Sequence, residues 1–325
     1  MKNQYFRRMK KIFTTRLATL FIAVLGYGTL YAQVPTGYYD SADGLDGENL
    51  KTALNNIIKG HTKFSYSAVW DILQETDKDP NNPNNVILIY TGESVNGPQT
   101  YNNGSGWNRE HVWAKSRGNF GTAQGPGTDV HHLRPSNISV NSARGNRWFG
   151  NATTPHMLNG TPTGNYFDNN EHLWQPRDEV KGDVARMIFY MATRYEGQNG
   201  ELDLEVVDYL PSSNTSSPIH ARLTDLLEWH NEDPVDDWER NRNDVIYYNY
   251  QNNRNPFIDH PEFVALIWGE EDTTSTATLN FEELNQTKEL LKVIDMTGRE
   301  VKPKPNTLLI YIYSDGTREK RVYSH

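Results

Sequence analysis

The 325-residue chain contains no cysteine. That absence excludes disulfide frameworks, cysteine-ligated zinc, iron–sulfur clusters and thiol nucleophiles. No apolar run reaches the roughly 18 residues of a membrane span, and the mean hydropathy is -0.75. A polytopic membrane protein is therefore not expected. Positive charge is also scarce, with 32 Lys and Arg against 41 Asp and Glu and a formal net charge of -9. This excludes a globally basic nucleic-acid binder but not a local patch. What the chain does have is aromatic side chains, 8 Trp, 18 Tyr and 11 Phe. These are enough to fill a sizeable core, so wholesale disorder is excluded too. The length suggests two domains, or one large domain with appendages.

The first residues read as an address. Lys2, Arg7, Arg8, Lys10, Lys11 and Arg16 precede an apolar stretch from Leu17 to Leu25, and small or turn-forming residues lead to Ala32. This is the layout of a secretory signal, with cleavage expected after Ala32. A loop is expected over 33–45. Leu50, Leu54, Ile57 and Ile58 then share one helical face, as do Val69, Ile72 and Leu73. The run Val86 to Thr91 predicts a buried strand, and 92–106 a Gly/Asn-rich loop. A long helix is predicted from about Asp178 to Tyr195, with Val180, Val184, Met187, Ile188 and Met191 on one core-facing side. Further helices are predicted over 219–230, 235–248 and 261–268. The stretch from 33 to 268 thus reads as mostly helix, with few strands and long polar loops. Residues 270–277 are a polar linker. Strands follow at Leu291–Ile294, Leu308–Tyr313 and Lys320–Tyr323 in a small β module over 278–325.

Chemistry concentrates between Trp107 and Gly150. One cluster holds Glu110 and His111. A second holds Asp129, His131, His132, Arg134, Asn141, Arg144, Asn146 and Arg147, and a Gly-rich loop containing Arg117 lies between them. Two short strands joined by that loop, followed by a helix from about Ser139, would bring the Glu-His pair opposite Asn141. The segment carries six basic residues against Glu110 and Asp129, a basic island that would focus attraction for an anion. Phosphodiester hydrolysis needs a base for water, a divalent metal and cations on the phosphate. A neutral His is a suitable base near pH 7, and one carboxylate with one amide oxygen suits Mg²⁺. Adjacent His131 and His132 do not easily share one zinc ion, because neighbours on a strand face opposite ways. Asp129 either orients the site or caps a turn, and Arg254 to His260 reads as packing for the C-terminal helix.

These residues resemble the secreted bacterial endonuclease I family, built on the ββα-metal (His-Me finger) site. The resemblance is carried by Arg109-Glu110-His111-Val112, Asp129 to Pro135 and Val140 to Asn146. It extends to Lys181 to Arg186 with Tyr190-Met191, and to Gln251 to Pro261. It implies an α+β fold: a mostly helical nuclease domain over 33–269 with a ββα-metal core, plus a small all-β C-terminal domain. It further implies His111 as general base, Glu110 and Asn141 as ligands of one Mg²⁺ (Mn or Ca being able to replace it), and Arg144 on the phosphate. Arg117, Arg134 and Arg147 are expected along the nucleic acid. The implied protein is a secreted monomer cutting DNA and RNA to 5′-phosphate ends. A DNA-binding protein of weak activity and a phosphodiesterase for small substrates are the alternatives. Residues 278–325, with Val293 to Val301, Leu309 to Gly316 and Lys320 to Val322, resemble the sorting domain of type IX secretion cargo in Bacteroidota. The secretion machinery would then be a partner.

Overall fold

A computed structural model describes residues 34–269 and, beyond them, 290–294, 299, 301–302, 307–313 and 318–323. The signal sequence expected at 1–32 and the linker at 270–277 lie outside the described residues. The chain divides into two units, one ending at Glu270 and one running from Glu271 to His325.

In the first unit, α1 (Gly47–Ile58) and α2 (Val69–Thr76) form where the apolar spacing predicts them. Strands β1 (Lys78–Asp79), β2 (Asn82–Ile87) and β3 (Ser94–Asn96) make a small antiparallel sheet. The strand predicted at Val86–Thr91 therefore begins earlier, and Ile89 and Tyr90 run on beyond it, buried. Next come β4 (Trp107–His111) and β5 (Leu133–Asn137), antiparallel, with Glu110 opposite Arg134 and His111 opposite Leu133. The helix α3 (Ile138–Arg144) follows without a break, because the Asn137 side chain accepts the amides of Ser139 and Val140 and caps it.

The expectation of few strands is corrected between 148 and 175. Strands β6 (Trp148–Phe149), β7 (Thr154–Leu158), β8 (Thr161–Asp168) and β9 (Leu173–Gln175) form a four-stranded sheet in the order β6-β9-β8-β7. The hairpin between β7 and β8 turns at Asn159-Gly160, both at positive φ, the dipeptide that fits such a turn. The domain is a mixed α+β fold rather than a mostly helical one.

The long helix is α4 (Lys181–Arg194), entered through a 3-10 turn at Asp178–Val180. It was expected to bury one face, yet every residue from Gly182 to Arg194 is buried. Its charges are paired inside: Arg186 with Glu239 at 2.8 and 2.5 Å, and Arg194 with Glu201 at 2.7 Å. Short strands β10 (Glu205–Val206) and β11 (Ile219–His220) pair in parallel, so the helix predicted from 219 starts only at α5 (Leu223–Glu232). Then come α6 (Asp237–Val245), a π-helical turn (Ile246–Gln251), α7 (Pro256–Asp259) and α8 (Glu262–Trp268).

In the second unit, β12 (Leu290–Ile294), β13 (Thr307–Tyr313) and β14 (Arg318–Tyr323) form an antiparallel sheet in that order. Among the described residues, no helix is long and apolar enough to cross a membrane.

Candidate active site

The β4–β5 pair is two-stranded, so β4 has one edge without a strand partner among the described residues. A cavity of about 540 Å³ is lined by Asn108, Arg109, Glu110 and His111 of that strand. Asn141, Gly145 and Asn146 line it from α3 and the turn after it, with Lys115 and Ser116 from the Gly-rich loop and Tyr66, Trp70 and Tyr101 from α2 and the preceding loops. Glu110, His111 and Asn141, which the strand–loop–strand–helix reading places opposite one another, thus share one cavity.

His111 is nearly buried, and its Nε2 lies 3.0 Å from the Gly127 carbonyl oxygen. A carbonyl only accepts, so Nε2 carries the hydrogen and Nδ1 keeps the lone pair. Burial, reinforced by His132 nearby, pushes the imidazole well below its ordinary pKa. Burial thus favours the neutral ring, and its free Nδ1 lone pair is the position that can take a proton. The ring also stacks on Tyr66, with centroids 5.6 Å apart and planes at 26°. Gly127 reaches this position because it lacks a side chain: a Cβ there would lie 2.7 Å from the Ala123 carbonyl oxygen.

Glu110 Oε1 accepts from the Tyr90 hydroxyl at 2.7 Å and lies 3.2 Å from Arg144 Nη1. The other carboxylate oxygen has no side-chain partner among the described residues. Burial raises the Glu110 pKa, while Arg144 pulls it back toward the ionised form. Asn141 donates through Nδ2 to Asn108 Oδ1 at 2.8 Å, which commits the donor half of its amide and leaves the carbonyl half as an acceptor. One carboxylate oxygen and one amide oxygen on a shared cavity form a hard-oxygen donor set, which fits a Mg²⁺-like ion with water completing its shell. Among the described residues no three His, Asp or Glu side chains converge as a metal-ligand group. A cation here would therefore rest on this sparse pair.

None of the four arginines expected on the phosphate or along the nucleic acid lines the cavity. Arg144 is fully buried and donates to the carbonyls of His111 and Val112 at 3.1 and 2.6 Å, clamping the end of β4. Arg117 is fully buried as well, donating to the carbonyls of Thr215, Asn146 and Ser213 while lying over the Trp148 ring at 3.6 Å. Arg134 is locked between Asp77 at 2.5 Å and Asp183 at 3.2 Å. Arg147 is half-buried and binds the Ala143 carbonyl and Asn169, away from the cavity. The basic island is largely internal. Burying a charge is costly unless it is paired or hydrogen-bonded, and these guanidiniums are. The cations that line the cavity are Arg109 and the exposed Lys115.

Asp129 belongs to the scaffold. It accepts from the hydroxyls of Tyr190 and Tyr195 and from the Gln251 amide at 2.9, 3.0 and 3.0 Å, tying the hairpin to α4 and the π-turn. His131 and His132 lie in the turn before β5 and bond the carbonyls of Asn253 and Pro126. Arg254 grips Asp259 with two bonds of 2.6 and 2.8 Å, and neither lines the cavity. Sequence reasoning missed Tyr90, Asn108 and the Gly127 carbonyl. Only Tyr90 left a signal, since a tyrosine ending a buried apolar run must find a partner for its hydroxyl.

Comparison with known proteins defines the class. Residues 46–262 match the family model described as Endonuclease I. The chain is 57% identical over 238 residues to an extracellular ribonuclease of Bacillus subtilis (strain 168), covering 73% of this chain and 80% of that protein. It is 53% identical over 267 residues to an extracellular ribonuclease of Bacillus amyloliquefaciens, covering 78% and 89%. The chain belongs to the endonuclease I family, and it is a nuclease, a hydrolase acting on ester bonds.

Proposed function

We propose that this nuclease is secreted and uses Mg²⁺ to cut RNA and DNA with little sequence preference, leaving 5′-phosphate and 3′-hydroxyl ends. Export is supported by the basic-then-apolar start of the chain and by the two relatives, both named extracellular ribonucleases. The single observation that carries the chemistry is the fixed tautomer of His111. Its Nε2 hydrogen is committed to Gly127, in a cavity it shares with Glu110 and Asn141.

On this reading the hairpin and α3 together are the ββα-metal core, with Glu110 and Asn141 holding the cation. A divalent ion there supplies charge neutralisation to the scissile phosphate and the departing oxygen. His111 Nδ1 accepts a proton from water as the water oxygen bonds to phosphorus and the P–O3′ bond breaks. The 3′ oxygen takes its proton from solvent. Arg144 acts through Glu110 and the end of β4, opposing the loss of charge that burial favours in the carboxylate and holding the strand in place. Lys115 and Arg109 contact backbone phosphates, which gives affinity without sequence readout. The unit from Glu271 to His325 serves as a type IX sorting domain.

The test is digestion of circular plasmid, a structured RNA and a small phosphodiester, each with Mg²⁺ and with chelator. Nicking of plasmid and RNA that stops in chelator is the expected result. Undiminished cutting in chelator removes the metal. Binding of DNA without cutting makes the protein a binder, and turnover of the small ester alone makes it a phosphodiesterase.

A further inference from the structure

One part of the cavity is left unused by this chemistry. Tyr101 lines it yet is 53% exposed, and neither its ring nor its hydroxyl has a partner among the described residues. The turn that carries it is tightly closed. The amides of Gly104 and Gly106 both bond the Tyr101 carbonyl, at 2.8 and 3.3 Å. A Cβ on Gly106 would fall 1.5 Å from the Thr100 carbonyl oxygen, so no side chain fits there. The backbone is thus built to present a ring that contributes little to the core. Removing such a ring from water is favourable, and in this fold no described neighbour does so.

Two further rings line the same cavity, but their faces are already occupied. Tyr66 and Trp70 are both half-buried. Arg109 lies against both, its guanidinium carbon 3.4 Å from the Tyr66 ring centroid and 4.0 Å from that of Trp70. Arg109 also donates to the Tyr66 backbone carbonyl and has no carboxylate partner among the described residues. Its charge is therefore held against these two rings, close to the His111 imidazole that stacks on Tyr66. The free Tyr101 ring and an arginine with no carboxylate partner, on one cavity, make a binding surface for a nucleobase and its neighbouring phosphate. A base can use such a surface only when its own face is free. In a duplex that face is covered by the next base pair, whereas in a single strand or loop it is not.

We propose that Tyr101 is a stacking subsite for an unpaired nucleobase beside the scissile phosphate, with Arg109 of the same cavity on the neighbouring phosphate, and that it directs this endonuclease toward single-stranded segments. The proposal rests on the cavity being the cleavage site. It deepens that reading by naming the substrate class.

The experiment uses the full chain and end-labelled RNA and DNA oligonucleotides in three forms: single-stranded, single-stranded with abasic sites, and duplex. Wild type, Tyr101→Ala and Tyr101→Phe are compared. Tyr101→Ala should raise KM on normal single strands by about fivefold to a hundredfold, the worth of one stacked base. Its kcat/KM on abasic and duplex forms should stay within about twofold of wild type, and Tyr101→Phe should behave as wild type because the ring and not the hydroxyl does the stacking. An unchanged KM on single strands overturns the proposal, as does an equal loss on all three forms. Wild-type cutting abolished by chelator reports separately on the cleavage reading. If wild type does not cut at all, fluorescence anisotropy on the same oligonucleotides makes the same comparison through Kd, with the same two outcomes.

Discussion

Two buried histidines flank the same glycine-rich loop and make the same first bond. Nε2 of His111 lies 3.0 Å from the Gly127 carbonyl oxygen, and Nε2 of His132 lies 2.7 Å from that of Pro126. Both are therefore Nε2–H tautomers, and burial drives both below their ordinary pKa, His132 to about 4. They differ at the other nitrogen. His132 Nδ1 accepts the Trp113 amide at 3.3 Å, so its hydrogen-bonding capacity is spent on joining β4 to the turn before β5. Among the described residues His111 makes no such bond through Nδ1, and it lines the cavity. A histidine with both nitrogens committed is a strut, whereas one with a single nitrogen committed is an oriented base. Burial and pKa do not separate the two; the hydrogen-bond inventory does.

The sharpest way to break this comparison is His111→Ala. Losing a general base should lower kcat by about 10²–10⁴, with the fold retained but the thermal midpoint lowered, because the Gly127 carbonyl loses its donor and Tyr66 its stacking partner. Plasmid nicking rates and a thermal melt on the same preparation check it. A variant within about tenfold of wild type, a loss below roughly 1.4 kcal/mol, would show that His111 is not the base.

The buried neutral state of His132, and of its neighbour His131, can be tested through acid stability. His131, pushed by burial to about 3, and His132, at about 4, remain neutral in the fold. In the unfolded chain both should titrate near 6.5. Below that pH the unfolded state binds protons that the folded state refuses, so stability falls as pH falls. The loss runs from about 6.5 down to the folded values and is absent above it. By pH 5 each ring should cost about 2 kcal/mol, and the pair about 4 kcal/mol. Urea unfolding at pH 7 and pH 5 measures this, and equal stabilities at the two pH values would contradict the buried neutral assignment.

The converse of the first substitution is His132→Ala. It orphans the Trp113 amide and the Pro126 carbonyl, and should lower stability by about 2–3 kcal/mol. Well below its reduced melting temperature, the folded variant should keep most of its kcat. If it stays folded yet loses as much activity as His111→Ala, the distinction between strut and base fails.

Some of this was legible in the sequence and some was not. The hairpin and the helix after it were foreshadowed because a Gly-rich loop separates the two clusters and a helix is expected from about Ser139, close to where α3 starts. The apolar periodicity placed α1, α2 and α4 for the same local reason. The β7–β8 hairpin was missed although Asn159-Gly160 announced it, because its strands are too polar to show an apolar alternation. The arginines were misplaced for a different reason. Residue counts give the charge of a segment but not the direction of its side chains. Arg117, Arg134 and Arg144 are buried by partners distant in sequence, among them Thr215, Asp77 and Glu110. No local signal encodes such pairings. In the second unit, β12, β13 and β14 start one or two residues earlier than the predicted strands, a difference of boundary rather than of kind.

The smallest expected effect separates the two kinds of cation in the segment from Trp107 to Gly150. Lys115 is exposed on the cavity, whereas Arg117, two residues on, is fully buried with three carbonyls around its guanidinium. By charge count the two are equivalent, but only one can displace counterions from a nucleic-acid backbone. Lys115→Ala should weaken cleavage severalfold at low salt and make the slope of log kcat/KM against log salt shallower by about 0.7 to 0.9. Arg117→Ala should leave that slope unchanged. It should instead lower the melting temperature, since the carbonyls of Thr215, Asn146 and Ser213 lose their donor and Trp148 loses the cation over its ring. Cleavage rates from about 50 to 200 mM salt, the range over which counterion release is readily resolved, together with melts of both variants, decide between them. A slope that changes for Arg117→Ala with no loss of stability would mean that the buried arginine reaches the substrate after all. An unchanged slope for Lys115→Ala would mean that the cavity mouth is not the path of the phosphate backbone.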